Sequence, residues 1–450
     1  MNIGIPYLDR LLPLEVSDAD LLAVAEPNEI HTTGTPADIV AAALATPFGS
    51  AANTRLADQS QTGTKGITAS GAGAGQSLDT FLAGARSVLV IVNDATRPTP
   101  TEVMLDALIP AFARSGISTE MVTIIVATGA HRAPTEAEYR QILGHRFDEL
   151  RPRCVAHEAR NDADMVDLGK TRNGTPIVLN KRLFESERII ATGSVEPHYF
   201  AGFTGGRKAF LPGIAAFRTI EANHKLALSA EARSLALDGN PVHEDMMDAL
   251  PLIKAPVFSL MTVLDKDQKV AAATAGDLMA SFYAAVETAR RIFCVAIPAK
   301  ADVVVSVAKF PMDIDLYQSQ KAIDNGALAL RDGGTLVLVS SCRDGIGDEA
   351  YANLLASAPT PALAIAKIAV AYKLGYHKAA KMAAVSERAN VVAKTVLDEG
   401  RLRSMFIEPI ESVQAAVDAA LARARASGIA NPKVLVLSDG CVTVPEINQP

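Results

Sequence analysis

Short runs of apolar, mostly β-branched residues alternate along the chain with longer stretches that have a helical pattern. Most of the short runs are nearly continuous, which is typical of parallel strands buried on both faces. We predict strands at residues 87–92, 121–127, 188–191, 257–264, 302–309, 335–340 and 433–437. Helices are predicted between them, at residues 101–115, 134–143, 281–292 and 411–426. This alternation predicts an α/β fold with mainly parallel sheets.

The length of 450 residues allows two or three domains. We predict two α/β domains with an active-site cleft between them. The N-terminal domain is expected to comprise residues 1–297 and 431–450, and the C-terminal domain residues 298–430. The last predicted strand is assigned to the first domain because chain termini often lie close together. Residues 54–75, which are rich in Gly, Ser, Thr and Ala, are predicted to form a loop.

Composition narrows the classes of partner. With 49% hydrophobic and 21% charged residues, the chain is typical of a globular protein and unlike a disordered one. The formal net charge of −7, without a basic block, argues against nucleic acid as a partner. No signal peptide and no apolar stretch of about 18 residues is found, so we expect a cytoplasmic protein without a membrane partner. The four cysteines form no CxxC pair and are expected to be reduced thiols.

Polar residues follow the predicted strand at residues 87–92 directly. Asp94, Thr96 and Arg97 occupy the position where an open parallel sheet places its ligand-binding loops. Arg97 offers a planar guanidinium for a carboxylate or phosphate. Asp94 could accept a hydrogen bond from a ribose hydroxyl or orient a base. The alternative is a simple strand-end turn that caps the next helix.

Histidines are concentrated in the middle of the chain, where five of the eight lie between positions 131 and 224. His131 follows a strand and the Thr128-Gly129 turn, and it would share a cleft with Arg97 if the two strands are neighbours. Histidine is the general base suited to neutral pH and also a common metal ligand. A capping or surface role is the alternative for His131. His145 and His157 are predicted to be structural.

The segment from Gly193 to His224 carries the most chemical information. It contains Glu196-Pro-His198, Gly205-Gly206-Arg-Lys208 and Asn223-His224. Glycines beside a lysine indicate backbone amides that approach an anion. The GxxxxGK[ST] spacing of a P-loop is absent. A structural loop is the alternative.

A fourth motif follows the predicted strand at residues 302–309. Tyr317, Gln318 and Lys321 lie three or four positions apart and could share one helix face, although a solvent-facing helix surface would give the same pattern. Arg343 lies in a later strand-end loop. It could contact a second substrate carboxylate, but a surface salt bridge is favoured.

In combination, these four motifs resemble the lactate racemase family, whose members use a nickel-pincer nucleotide. The resemblance spans most of the chain and keeps the motifs in the family's order. The steps of 10 residues from His198 to Lys208 and of 16 residues to His224 also fit the family pattern. Four ordered matches are far more specific than any single motif.

The resemblance implies a role for each motif. Lys208 would tether the cofactor, a pyridinium-3-thioamide-5-thiocarboxylic acid mononucleotide with nickel, through a covalent bond, and His224 would complete the nickel coordination. His131 and His198 would be the general acid and base. The implied cofactor-binding residues are Lys208, Asp94, Thr96, Gly205 and Gly206. The implied substrate-binding residues are Arg97, Tyr317, Gln318 and Lys321.

The activity implied by the resemblance is racemisation or epimerisation of a 2-hydroxyacid. One histidine would deprotonate the 2-hydroxyl while a hydride passes between the substrate carbon and the cofactor. The implied partners are a small 2-hydroxyacid and the enzymes that make the cofactor. The exact 2-hydroxyacid and the oligomeric state are left open.

Two other functions remain as alternatives. A nicotinamide-dependent 2-hydroxyacid dehydrogenase would need a GxGxxG loop between the first strand and helix, and that position has none. A family member that binds a nucleotide or metal without racemase activity would need no pair of bases such as His131 and His198.

Overall fold

The computed structural model of the protein describes residues 1–49 and 74–447. The predicted loop at residues 54–75 therefore lies almost entirely outside the described residues. The chain divides into two compact units. The central unit comprises Glu29–Ile292, and the terminal unit comprises Met1–Asn28 together with Phe293–Pro450.

The strands confirm the predicted α/β class, and each predicted strand overlaps an observed one. In chain order they are β1 (Asn2–Tyr7), β2 (Arg10–Glu15), β3 (Leu21–Ala25), β4 (Val88–Asn93), β5 (Val122–Ala127), β6 (Cys154–Ala156), β7 (Met165–Lys170), β8 (Pro176–Asn180), β9 (Arg188–Ser194), β10 (Pro197–His198), β11 (Gly202–Phe203), β12 (Val257–Leu264), β13 (Val270–Gly276), β14 (Cys294–Ile297), β15 (Ala301–Val307), β16 (Leu330–Val339), β17 (Asn390–Lys394), β18 (Glu408–Pro409), β19 (Val434–Leu437) and β20 (Val444–Ile447).

The helices connect these strands, and the four predicted helices are all observed. In chain order they are α1 (Pro36–Ala45), α2 (Leu78–Leu82), α3 (Thr101–Arg114), α4 (Glu136–Leu143), α5 (Phe147–Leu150), α6 (Arg182–Glu185), α7 (Phe217–Lys225), α8 (Pro241–Ala249), α9 (Leu278–Phe293), α10 (Leu316–Leu328), α11 (Glu349–Ala356), α12 (Pro361–Val370), α13 (Tyr376–Arg388), α14 (Glu399–Ser404) and α15 (Val413–Ala426).

The central unit is built on a six-stranded sheet with the order β13-β12-β9-β4-β5-β6. Its strands run parallel, except that β13 is antiparallel to β12. Strand β4 is a Val-Leu-Val-Ile-Val run without exposed residues, as expected for a strand covered on both faces. The chain leaves β4 through α3 to β5 on one side, while β9 pairs on the other. The connections therefore reverse direction at β4, the place where such sheets bind ligands.

The core of the central unit lies between this sheet and its helices. Met104, Leu105 and Leu108 on α3 are fully buried, and they share one hydrophobic cluster with Val90 of β4 and Ile124 of β5. Apolar residues three and four positions apart give α3 a continuous apolar face. This packing fixes the ends of β4 and β5, and so fixes the loops that follow them.

The terminal unit contains a second six-stranded sheet with the order β18-β17-β16-β15-β19-β3. All of its pairs are parallel. Here the predicted domain assignment was wrong. The last long strand, β19, pairs with β15 and β3, so residues 431–450 belong with residues 298–430 rather than with the central unit. Residues 1–28 also belong to the terminal unit, because β3 completes this sheet at its edge.

The described helices were also compared with the length and composition of a membrane span. No single helix in residues 1–49 and 74–447 is long and apolar enough to cross a membrane. One bent pair, Glu349–Ala356 and Pro361–Val370, passes the length and composition criteria only when its two helices are joined across a 117° bend.

Candidate active site

Three of the predicted motifs meet at the carboxyl edge of the central sheet. Asp94 directly follows β4, His131 follows β5, and His198 follows β9. Because β9, β4 and β5 are adjacent parallel strands, their carboxyl ends lie side by side. The condition under which His131 would share a cleft with Arg97, that their strands are neighbours, is therefore met.

Asp94 and His131 form a hydrogen-bonded pair. The Nδ1 atom of His131 lies 2.7 Å from Oδ2 of Asp94, and Thr96 donates its hydroxyl to Oδ1 of the same carboxylate at 2.6 Å. The Asp94 side chain is 8% exposed, whereas that of His131 is 53% exposed. The carboxylate is thus fixed within the protein, and the imidazole extends from it toward solvent. A carboxylate on Nδ1 leaves Nε2 as the atom available to a ligand.

The charge state of Asp94 is set by opposing effects. Burial favours the neutral acid, but the hydrogen bonds from His131 and Thr96 and the charge of Arg97 outweigh it and lower the pKa of the carboxyl group. Asp94 is therefore an anion at neutral pH. An anionic partner holds the His131 ring with its proton on Nδ1.

The loop that carries His131 is anchored by buried backbone contacts. Gly129 adopts φ +56°, and its amide donates to Gly213 O at 3.0 Å. The hydroxyl of Thr128 donates to the carbonyl of His157 at 2.6 Å. His157 is itself fully buried, with Nε2 at 2.9 Å from Ala215 O. The structural role predicted for His157 agrees with this position.

His198 is held by backbone and aromatic contacts. The amide of Ala201 donates to Nδ1 at 3.2 Å, so the proton of the neutral ring lies on Nε2. The ring stacks on Tyr199, with centroids 5.1 Å apart, and meets the edge of Phe200 at 4.5 Å. Its Nε2 atom lies 3.4 Å from Nζ of Lys208. His198 and Lys208, predicted to act on the same chemistry, are therefore direct neighbours.

Burial and the neighbouring positive charges disfavour the charged form of both Lys208 and His198. Burial lowers the pKa of Lys208 well below its ordinary value, and the charges of Arg97 and Arg207 lower it further, against a smaller opposite effect of Glu196. Burial also lowers the pKa of His198, with further contributions from Lys208 and Arg97. A neutral Lys208 amine is a nucleophile, and it can accept a hydrogen bond from Nε2 of His198.

The two glycines before Lys208 shape its loop. Gly205 and Gly206 adopt φ +78° and +54°, in the region that favours glycine. A Cβ atom at Gly205 would lie 2.6 Å from Cγ2 of Val195, and one at Gly206 would lie 2.8 Å from Cδ2 of Phe282. The Gly206 amide donates to the sulfur of Met261 at 3.5 Å, so it is not directed at a bound anion. Close packing and backbone conformation explain these glycines, and their predicted contact with a cofactor stays a prediction.

Arg207 is a residue of this site that the sequence analysis did not assign. Its side chain is completely buried, and its guanidinium donates to Ala201 O at 2.6 Å and to Gly205 O at 3.3 Å. It also lies 4.5 Å from the centre of the Phe282 ring. Burial lowers the pKa of this group to about 9. Arg207 thus fixes two points of the backbone between His198 and Lys208.

His224, the predicted metal ligand, belongs to the same group of side chains. It lies near the end of α7, and its ring meets the edge of Phe200 with centroids 5.0 Å apart. Its charge contributes to the lowered pKa of His198. Among the described residues, no three His, Cys, Asp or Glu side chains converge to form a metal site. A metal bound at His224 would need most of its ligands from another molecule.

The remaining predicted site residues lie in the terminal unit. Asp315 caps α10 by accepting from the Gln318 amide at 2.6 Å, so Tyr317, Gln318 and Lys321 lie in the first turns of this helix. Nζ of Lys321 lies 3.2 Å from the sulfur of Met312. The three residues lie on one helix, whereas their sharing of one face and their roles in substrate binding stay predictions.

Arg343 forms an ion pair of the kind favoured from the sequence. Its guanidinium lies 2.9 Å from Oδ2 of Asp313, and the Ser341 hydroxyl donates to the same oxygen at 2.7 Å. The Arg343 side chain is 46% exposed and that of Asp313 is 9% exposed, so an arginine at the surface pairs with a buried carboxylate.

Comparison with known proteins identifies the family of this chain. A family profile described as the lactate racemase N-terminal domain matches residues 72–235, and one described as the lactate racemase C-terminal domain matches residues 297–444. A lactate racemase of Thermoanaerobacterium thermosaccharolyticum is 30% identical over 354 residues, which cover 78% of this chain and 76% of that protein. A lactate racemase of Lactiplantibacillus plantarum is 29% identical over 365 residues, which cover 80% of this chain and 79% of that protein.

Solved structures agree with the sequence relatives. The lactate racemase apoprotein from Thermoanaerobacterium thermosaccharolyticum aligns with a TM-score of 0.84 at 27% identity, covering 99% of this chain and 100% of that chain. A protein from Thermotoga maritima aligns with a TM-score of 0.61 at 17% identity, covering 82% of this chain and 96% of that chain. At this identity the match supports the fold only. On the two family profiles and these relatives, the chain belongs to the lactate racemase family and is an isomerase of the racemase type.

Proposed function

We propose that this enzyme racemises or epimerises a 2-hydroxyacid, with a nickel-pincer nucleotide tethered to Lys208. The observation that carries the proposal is the arrangement of two histidines on the loops that follow β5 and β9, the two strands that flank β4, each with a partner that fixes its proton. His131 is paired with Asp94 at 2.7 Å, and His198 accepts from the Ala201 amide at 3.2 Å, with Lys208 3.4 Å from its other nitrogen. A racemase needs two proton-handling groups because the two enantiomers present their hydroxyls differently.

The residues present fit a tethered, metal-bearing nucleotide. The lowered pKa of Lys208 favours the neutral, nucleophilic amine that a covalent tether requires. His224 supplies an imidazole in the same group of side chains, a donor suited to Ni(II). Arg97 and Arg207 add positive charge that favours an anionic ligand. We propose that Asp94, Thr96 and the Gly205–Gly206 turn border the bound nucleotide.

His131 is proposed to act as the base toward one enantiomer. When bound, the cofactor supplies the acceptor and donor of the hydride at the substrate carbon. Asp94 holds the proton of His131 on Nδ1, which leaves Nε2 to take the proton of the 2-hydroxyl. The imidazolium that forms stays next to the Asp94 carboxylate, which stabilises it.

His198 is proposed to begin the same turnover with a proton on Nε2, whereas His131 begins it with Nε2 unprotonated. Because the Ala201 amide donates to Nδ1, the ring presents an N–H at Nε2. This N–H can donate a hydrogen bond to the oxygen of the planar 2-oxo form, while the proton taken from the 2-hydroxyl stays on His131 and can return to the product oxygen from there. For the other enantiomer His198 is proposed to be the base, which requires that the ring proton first leave Nε2.

The substrate carboxylate is proposed to bind to Arg97, with Gln318, Lys321 and Tyr317 as further substrate-binding residues. Arg97 is exposed at the end of β4, and its charge reaches both His198 and Lys208. Holding the carboxylate keeps the reacting carbon in place while it changes between tetrahedral and planar geometry.

Lactate is the first substrate to test, because two relatives are lactate racemases. Other small 2-hydroxyacids are the next candidates. We further propose that the enzymes that make the cofactor are partners of this protein, and that it acts in the cytoplasm.

The proposal is tested by intact mass and nickel content after co-expression with cofactor-making enzymes. We expect one covalent mass increase that maps to Lys208, together with bound nickel, and racemisation of lactate or a related 2-hydroxyacid without added nicotinamide. Nicotinamide-dependent oxidation without racemisation would instead indicate a dehydrogenase. Cofactor loading without turnover of any 2-hydroxyacid would indicate a binding protein.

A further inference from the structure

Lys378 is a buried lysine that the mechanism above does not use. It lies in the first turn of α13 and is only 4% exposed. Its ammonium group donates to the main-chain oxygen of Tyr317 and lies 3.6 Å from the centre of the Tyr317 ring. One cation therefore contacts both the backbone and the aromatic face of a single residue. Such a cation restricts the backbone and the ring together.

The Tyr317 ring is also restricted from a second direction. Tyr351 on α11 meets it edge to face, with centroids 5.6 Å apart and an angle of 87°. Tyr351 is itself 3% exposed and so is fixed by its own packing. Tyr317 is thus held between a cation on one side and a rigid ring on another.

Lys378 is in turn tied to the helix on which Tyr317 lies. Gln320 on α10 donates to the carbonyl of Lys378 at 2.9 Å, so helices α10 and α13 are linked beside the contact with Tyr317. The charged and titratable groups near the ammonium include Asp315, which caps α10, Tyr317, Lys321 and Asp324 on α10, and Cys441 after β19, with Tyr351 of α11 behind Tyr317.

We propose that Lys378 is a positioning residue that holds Tyr317 in the orientation in which it binds substrate. This inference rests on the proposed function, which places Tyr317 among the substrate-binding residues. Lys378 itself need not touch the substrate. Its loss would allow the Tyr317 side chain to move, which weakens substrate binding more than it slows the chemical step.

Because Lys378 can lose its charge, its role can be tested by the pH dependence of KM, which a purely structural packing role would not change. Burial lowers the pKa of Lys378 to about 8. The charge of Asp324 raises this pKa and that of Lys321 lowers it, but burial is the largest effect. Burial raises the pKa of both Tyr317 and Cys441 to about 12, so neither changes charge around pH 8. Lys378 is thus fully protonated well below pH 8 and loses its charge as the pH rises through that value. KM of the wild-type enzyme is expected to rise over the same range.

The first experiment compares the wild-type holoenzyme with Lys378→Met, Lys378→Arg and the control Lys381→Met. Lys381 lies one turn along α13 and is partly buried near Asp324. We expect Lys378→Met to raise KM about tenfold with a smaller change in kcat, the size expected for losing a charge-assisted contact. Its KM should no longer depend on pH around 8, whereas Lys381→Met should keep the wild-type dependence. An unchanged KM or an unchanged pH profile in Lys378→Met would overturn the inference.

Lys378→Arg keeps the test decisive if the methionine variant does not fold. Arginine stays charged at all accessible pH values, so the rise of KM above pH 8 should disappear. A wild-type pH profile in Lys378→Arg would show that Lys378 is not the titrating group and would overturn the inference.

Tyr317→Ala separates this inference from the proposed function. If that variant raises KM and Lys378→Met adds nothing further in its background, Lys378 acts through Tyr317. If Lys378→Met has the same effect with and without Tyr317, the positioning role is wrong while the role of Tyr317 stands. If Tyr317→Ala leaves KM unchanged, the substrate-binding role of Tyr317 fails and the inference fails with it.

Discussion

His131 Nδ1 and Asp94 Oδ2 lie 2.7 Å apart and join the loops that follow two neighbouring parallel strands. The carboxylate is buried and anionic, whereas the imidazole is half exposed. This pairing decides which ring nitrogen carries the proton. It therefore gives His131 a defined chemical state before any ligand arrives.

The Asp94–His131 pair predicts a large effect of Asp94→Asn. An amide has similar size but can donate to Nδ1, which favours the opposite tautomer and removes the base from Nε2. We expect kcat to fall about 100-fold or more, with a nearly unchanged Tm. Asp106→Asn is a matched control, because Asp106 contacts His145 at 3.3 Å outside the site. Equal kcat values in the two variants would show that the pairing has no catalytic role.

Lys208 is predicted to react as a free amine at unusually low pH in the apoprotein. Competitive acetylation across a pH series, read by peptide mass spectrometry, measures the midpoint of its reactivity. Because burial and the charge of Arg97 lower the pKa, the midpoint should lie well below 10.5. Arg97→Met should move it upward, and exposed Lys225 serves as the internal reference. A midpoint at the ordinary lysine value would contradict the neutral amine.

The two histidines are predicted to affect the two directions of turnover differently. His131→Ala and His198→Ala should each reduce both initial rates, but each should impair one enantiomer more than the other. The equilibrium ratio stays the same, since a catalyst cannot change it. Initial rates from each pure enantiomer give the measurement, with His145→Ala as the control. Wild-type rates in both directions for both variants would eliminate the two-histidine scheme.

Gly206 is predicted to tolerate no side chain. Gly206→Ala combines a positive φ with a Cβ atom 2.8 Å from the Phe282 ring, so we expect a loss of about 2–4 kcal/mol in the free energy of unfolding. Gly239→Ala has a similar φ of +72° but no atom within 4 Å, and should cost about 1 kcal/mol. Urea unfolding of both variants separates steric overlap from backbone strain. Equal losses would show that the contact with Phe282 is unimportant.

Local sequence was sufficient for the elements and for the loops that carry the candidate site residues. An apolar run followed by Asp94 or by the Thr128-Gly129 turn predicts a buried strand and a ligand loop, and both lie where the sequence placed them. The pairing of Asp94 with His131 was open, because either an oriented base or a ribose contact would use the same residue type. The adjacency of β4 and β5, which the sequence does not show, brings His131 to Asp94.

Long-range pairing explains what the sequence did not predict. A four-residue strand such as Val434–Leu437 fits any parallel sheet, so its apolar pattern could not show that it pairs with β15 and β3. Arg207 was missed for a related reason. Arginine is seldom fully buried, and its partners are backbone carbonyls that no side-chain pattern reveals.

The source of the hydrogen at the racemised carbon tests the central claim most directly. In the proposed scheme the histidines exchange only the hydroxyl proton with solvent, while the hydrogen on the carbon is transferred as a hydride. Single-enantiomer lactate, or the 2-hydroxyacid that turns over best, is incubated with loaded enzyme in D2O and examined by NMR. We predict that the product enantiomer keeps protium at the racemised carbon. Deuterium there in proportion to turnover would show proton abstraction from carbon and contradict the account.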